Sequence, residues 1–268
     1  MVRSRGVASR HFRFDWPLLV LAAGLVLPLY WPTLHYDLFQ DDFLLLRPWP
    51  PDHLVASWFG GWFVAESRDY YRPFAILLYK AMFYPFGLNT RVLHILPLIT
   101  MTVVAWMIGR FVRRETGSWS LGIVATALGV LHPTSTAAVG PWLANQYQGL
   151  VSGALLATLL WWQTARTRSW PWSLPLLVPI MVGAFTKETG LIIPAALVTI
   201  AVARSWWTRD LPPPPRWFIV AGLLMFAGLN VWRMWALGGP GGGDLLPTEL
   251  YVAQFYDSWY APCSTPSD

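Results

Sequence analysis

The chain of 268 residues is 55% hydrophobic and only 12% charged, with 18 Trp, 23 Pro and a mean hydropathy of +0.42. Soluble domains carry about 25% charged residues, so this composition excludes an ordinary soluble protein and sets the class as an all-α, polytopic integral membrane protein. The formal net charge of +5 does not point to nucleic acid, because the arginines sit in short clusters between apolar runs, the pattern that orients a membrane protein. The single Cys263 excludes an internal disulfide framework and a thiolate metal cluster.

The N-terminal "MVRSRGVASRHFRFDW" is basic and leads into the first apolar run, but no small-residue cleavage site follows, so an uncleaved first span is expected. Seven runs are long enough, or nearly so, to cross a hydrocarbon core of ~30 Å as helices of about 20 residues. They cover about 16–35, 90–111, 118–136, 144–163, 171–186, 189–207 and 216–237. Prolines inside them (Pro28, Pro97, Pro175, Pro179, Pro194) predict local kinks. "DLPPPPRW", Asp210 to Trp217, reads as a stiff polyproline connector. "GGPGGGD", Gly238 to Asp244, reads as a flexible break, which divides a membrane module, 1–239, from a tail, 240–268.

Basic residues fix the orientation expected of these spans. With the N-terminus inside, twelve arginines fall on inner segments: Arg3, Arg5, Arg10 and Arg13, then Arg110, Arg113 and Arg114, then Arg166 and Arg168, then Arg204, Arg209 and Arg216. Seven basic residues fall outside, four of them (Arg47, Arg68, Arg72, Lys80) in one long loop that carries little topological weight. The acids Asp37, Asp41, Asp42, Asp52, Glu66, Asp69 and Glu188 all fall on the outer side, which predicts a polar working surface there.

The first outer loop, about 36–89, is too long for a mere connector and is expected to form a cap of short interfacial helices. It opens with "FQDDF", in which Asp41 and Asp42 lie beside the end of the first span. An aspartate ahead of "FLLLRPW" can cap a short helix. The same pair also reads as a general base or as ligands of a metal ion, since carboxylates at membrane depth are costly and mark functional sites. Further on, "LVASWFGGWFVAES" places Trp58, Phe59, Trp62 and Phe63 at helical spacing, an interfacial stripe. "RDYYRPF" sets Tyr71 and Arg72 ahead of a helix of about 14 residues that starts at Pro73. Arg72 has the guanidinium fork that matches phosphate oxygens, although an ordinary interfacial ion pair would look the same.

Two later outer connections carry polar groups. "HPTSTAAVGPWLANQYQGL" ends one span at His132 and opens the next with Asn145, Gln146 and Gln148, neutral donors and acceptors of the kind a sugar requires. A helix-ending His-Pro step and an Asn cap account for the same residues. "FTKETG" holds Lys187 and Glu188 in a connection so short that both lie at or below the headgroups. Lys187 could neutralise a phosphate with Glu188 positioning it, or the two could form a snorkelling pair at a turn.

The order of these motifs, "DDF", "YYRPF", "HPTSTAAVGPWLANQYQGLVSGALLATLL" and "FTKETGLIIPAALV", resembles the polytopic glycosyltransferases of the GT-C fold. Within these the chain is most similar to the protein O-mannosyltransferase-type group, including relatives that carry tetratricopeptide repeats. The resemblance covers about residues 14–240. It implies inverting transfer of a sugar, such as a mannose-like hexose, from a polyprenyl-phosphate donor to a protein, glycan or lipid acceptor. Transfer would take place at the extracytoplasmic face of the plasma membrane (the inner membrane of a bacterium).

By the same resemblance Asp41 or Asp42 is the catalytic base, and the other orients it or helps hold a divalent cation, Mg or Mn, where a member uses one. Phosphate contacts carry over to Arg72 and Lys187, with Glu188 beside them as a candidate for the same site, while Tyr71, His132, Asn145 and Gln146 are candidates for sugar or acceptor by their own polar chemistry. Members usually continue with further spans, so the tail from 240 is expected to be an outer segment cut short. The rival expectation is a transporter or flippase for a lipid-linked or anionic substrate, which would gather its charges near the bilayer midplane. A third is an inactive membrane module.

Overall fold

The computed structural model describes residues 15–37, 51–59, 71–132, 146–165, 170–207 and 214–237. Every element among the described residues is helical, and none is a strand. They are α1 (Trp16–Tyr30), α2 (Pro51–Ala56), α3 (Pro73–Phe86), α4 (Thr90–Thr116), α5 (Trp119–Leu131), α6 (Gln146–Ala165), α7 (Leu177–Thr186), α8 (Ile193–Trp207) and α9 (Arg216–Leu237). Short 3₁₀ turns extend three of them, at Trp31–His35, Trp170–Leu176 and Glu188–Ile192.

Among the described residues four helical stretches are long and apolar enough to cross a membrane: Trp16–His35, Thr90–Thr116, Glu188–Trp207 and Arg216–Leu237. Two shorter apolar helices, Trp119–Leu131 and Ser173–Thr186, correspond to the third and fifth of the seven expected spans. The fourth, α6, has 20 residues, but Gln146, Gln148 and Gln163 dilute its hydropathy. The stretch 133–145, which the sequence assigns partly to spans three and four, lies outside the described residues.

Local chemistry sets the ends of the longest helix. Asn89 caps α4 by accepting from the Val92 N–H at 3.3 Å, and Gly117 stops it in the left-handed conformation at φ +73°, its N–H returning to the Arg113 carbonyl. Ser118 then caps α5 through the Leu121 N–H. The two-residue link forces α4 and α5 into an antiparallel pair. They cross closely because Gly109 lies against Gly122 and Thr126, where a Cβ would collide with the Thr126 hydroxyl and the Gly122 carbonyl.

α1 buries Leu18, Ala22, Val26 and Tyr30, each four residues on from the last, against Leu98, Met101, Ala105 and Val130 of the α4–α5 pair. A second core joins α6, α7 and α8 through Ala154, Trp162, Ile180, Ala184, Leu191 and Leu197. α4 packs on α6 and so connects the two cores. α9 leans on α8, with Gly222 against Val198, and only 6% of its apolar window is covered by protein.

The helix ends gather into two polar poles. At one, Asp15 pairs with Arg110 at 3.6 Å and with Arg113, and Glu115 accepts from Gln163 and Arg204. These bonds tie the ends of α1, α4, α6 and α8 together. At the other pole the Tyr30 hydroxyl donates to the Val130 carbonyl at 2.8 Å, and Arg72 meets Glu188. The first pole carries Arg-rich segments that the sequence assigns to the inside; the second carries those assigned to the outside.

Candidate functional site

The polar cluster at the second pole is assembled from two segments 116 residues apart. Arg72 precedes α3, whose first residue, Pro73, has no N–H to lose and a φ suited to the first helical turn. Its guanidinium forms a fork on Glu188: Nε donates to Oε1 at 3.1 Å and Nη2 to Oε2 at 3.0 Å. The side chains of Arg72 and Glu188 are 13% and 24% exposed, so the pair is partly shielded from water without being sealed from it.

Glu188 owes its place to a tight turn. α7 ends at Thr186, Lys187 is extended, and the Gly190 N–H returns to the Lys187 carbonyl at 2.8 Å. Gly190 lies directly on the α7 backbone at Gly183, so closely that a Cβ there would overlap the Gly183 carbonyl. The glycine is therefore required by contact, and it holds Lys187 and Glu188 at the mouth of the α7–α8 pair.

Lys187 is half-buried and, among the described residues, has no carboxylate within ion-pair distance. Burial lowers its pKa below the usual lysine range; the nearby Arg72 charge pushes in the same direction and Glu188 opposes both. With Arg72, Lys187 and Glu188 counted together, the cluster carries one net positive charge.

An aromatic ring braces Arg72. The Arg72 guanidinium lies 5.3 Å from the centre of the Tyr147 ring. Tyr147, at the start of α6, is itself held edge-on by Tyr79 at 5.6 Å. Tyr71 is 2% exposed; its hydroxyl donates to the Trp58 carbonyl at 2.7 Å and accepts from the Trp232 indole N–H at 2.7 Å. Burial raises the Tyr71 pKa, with the Trp232 bond working the other way. Tyr71 thus acts as a strut that joins α2, α3 and α9 and fixes the backbone next to Arg72. Phe185 closes the corner, edge-on to Trp58 at 5.4 Å and to Tyr71 at 6.0 Å.

Beside this cluster a largely apolar recess is lined by Leu54, Val55, Ser57, Trp58, Pro73 and Leu77. Trp58 and Phe59 lie in the turn 57–59 that follows α2 and not on a helix; Trp62 and Phe63, the rest of the expected stripe, lie outside the described residues. α2 ends at Ala56, where the Ser57 hydroxyl returns to the Leu54 carbonyl, and the turn directs Trp58 inward against Phe185.

The structure therefore unites Arg72, Lys187, Glu188 and Tyr71. His132 does end its helix, in the extended conformation that a following proline requires. It is exposed and belongs to α5, which packs on α1 and α4 and not on the elements that carry the cation cluster. Gln146 is the first residue of α6, and its side chain lies outside the described residues, as do Asp41, Asp42 and Asn145. Among the described residues no group of three or more His, Cys, Asp and Glu could hold a metal ion.

No motif in the sequence marks Trp58, Tyr147, Phe185 and Trp232 as the aromatics that brace this corner. The available signal was position: Tyr147 and Trp232 each lie near the helix end that the topology places beside "YYRPF". No family model, curated protein or solved structure matches the chain.

Proposed function

We propose that the chain is a seven-span membrane glycosyltransferase of the GT-C kind, with its N-terminus cytoplasmic and its working face extracytoplasmic. It transfers a sugar from a polyprenyl-phosphate donor to a protein, glycan or lipid acceptor. The observation that carries this reading is the proximity of Arg72 and Lys187, with Glu188 bonded to the first, beside a largely apolar recess at one pole of the bundle. Two cations match a phosphate, and an adjoining apolar surface matches a prenyl chain. Together they describe an amphiphile with a phosphate head.

A polyprenyl phosphate is the leaving group of such a reaction. Arg72 and Lys187 stabilise the charge that develops on it as the glycosidic bond breaks. The acceptor hydroxyl needs a base, and Asp41 or Asp42 takes that part by the sequence resemblance. The cations lie at a helix-end pole and not midway along the long helices, which supports an enzyme working at the interface over a transporter.

The test is sugar transfer from a polyprenyl-phosphate donor by the full chain and by its Asp41→Asn and Asp42→Asn variants. Loss of the base lowers turnover about 10²- to 10⁴-fold, so one of the two variants is expected to fall that far. Wild-type turnover in both would remove the base assignment. No turnover in the parent chain with any acceptor class would leave the site as a binding module.

A further inference from the structure

We propose that Glu188 is a resident counter-ion of Arg72 that an incoming phosphate displaces, so that it sets the affinity of the site by competing with the ligand. This rests on the lipid-phosphate reading above. The carboxylate occupies the Nε–Nη2 edge of the guanidinium with two matched hydrogen bonds. That edge is one a phosphate would grip bidentately, so both anions cannot hold it at once.

Three features make the exchange feasible without moving the backbone. The Glu188 side chain is the more exposed of the two partners and can turn to water when displaced. The Tyr147 ring beneath Arg72, braced by Tyr79, supports the guanidinium whichever anion faces it. The neighbouring Tyr71 hydroxyl remains bound to Trp58 and Trp232, which fixes the chain at this corner.

The charge balance also favours exchange. Lys187 adds a second positive charge that draws the phosphate in, and the arriving phosphate repels Glu188. In the empty state the carboxylate keeps Arg72 from standing as a buried charge without compensation, a costly condition. Glu188 therefore stabilises the empty protein and weakens the loaded one. A carboxylate that only positioned Lys187 or Arg72 for the ligand would stabilise both.

The experiment measures binding of farnesyl phosphate, and in a second arm of inorganic phosphate, to the full chain in phosphatidylcholine nanodiscs. Glu188→Gln is expected to bind about tenfold tighter with slower dissociation, the loss of roughly one competing charge-assisted contact, while its empty form melts at a lower temperature. Glu188→Asp keeps the charge on a shorter arm and is expected to fall between the two.

Equal or weaker binding by both variants, while the parent chain binds and Arg72→Gln does not, overturns the exchange and leaves the lipid-phosphate reading intact. No binding of either probe by any form overturns that reading itself. A gain with both probes assigns recognition to the phosphate head, and a gain confined to farnesyl phosphate assigns it to a lipid phosphate; either result supports the exchange.

Discussion

Arg72→Gln is expected to weaken binding of polyprenyl phosphate by roughly 30- to 150-fold and to lower transfer from a polyprenyl-phosphate sugar at least as far. A bidentate, charge-assisted contact contributes about 2–3 kcal/mol net, and each 1.4 kcal/mol is about tenfold in affinity. Solvent does little to discount this, because the Arg72 side chain is only 13% exposed. The substitution also leaves Glu188 facing the phosphate with its partner gone, which adds repulsion to the lost attraction. Effects on folding are expected to be small by comparison, since Glu188 reaches water and Tyr71 keeps its own bonds. Arg72→Lys retains the charge without the fork and is expected to lie between the two forms. The check is a titration of each purified form in nanodiscs alongside its melting temperature. Parent-like affinity in a folded Arg72→Gln protein would remove this residue from the site.

The largest effect on stability is expected at the opposite pole. Asp15 is 6% exposed, and its carboxylate pairs with Arg110, itself 2% exposed, and with Arg113. Removing one partner of a buried pair typically costs about 3–5 kcal/mol, because the remaining charge is left in a low-dielectric setting. Asp15→Ala is placed near the lower end of that range: Arg113 is 26% exposed and stacks on Trp119 at 3.4 Å, and Arg110 lies 5.1 Å from the centre of the Trp106 ring. The Trp106 indole N–H donates to the Asp15 carbonyl, a backbone bond that survives the change. Equilibrium unfolding in mixed micelles should therefore register a loss of about 3 kcal/mol. A change under about 0.5 kcal/mol, the range of ordinary surface substitutions, would show that the pair does not hold α1 to α4.

Which helix ends lie together was legible in the sequence, because two of its signals are additive along the chain. Apolar runs gave the helices, and the arginine clusters gave a common end to Arg110, Arg113 and Arg204, where the structure forms one polar pole. The same alternation put Arg72, Lys187 and Glu188 on one face, and the fork between Arg72 and Glu188 follows from it. The roles of individual side chains were less legible. Tyr71 and Tyr147 carry hydroxyls suited to a sugar, yet the first is bonded to Trp58 and Trp232 and the second lies beneath Arg72. Which of several aromatics meets a cation depends on helix rotation, and in this chain apolar residues surround each helix so completely that periodicity does not report rotation. Asp15 and Glu115 belong to no motif; that each collects cations from other helices depends on packing that no local pattern encodes.

Lipid-phosphate recognition can be measured without knowing the sugar or the acceptor, by comparing a polyprenyl phosphate with the uncharged polyprenol of the same length on the full chain in neutral-lipid nanodiscs. Two cations with one competing carboxylate should favour the phosphate by roughly 30-fold or more, equivalent to about 2 kcal/mol, and that preference should disappear in the Arg72→Gln, Lys187→Gln double variant. Equal binding of phosphate and alcohol by the parent chain would contradict a phosphate site at Arg72 and Lys187.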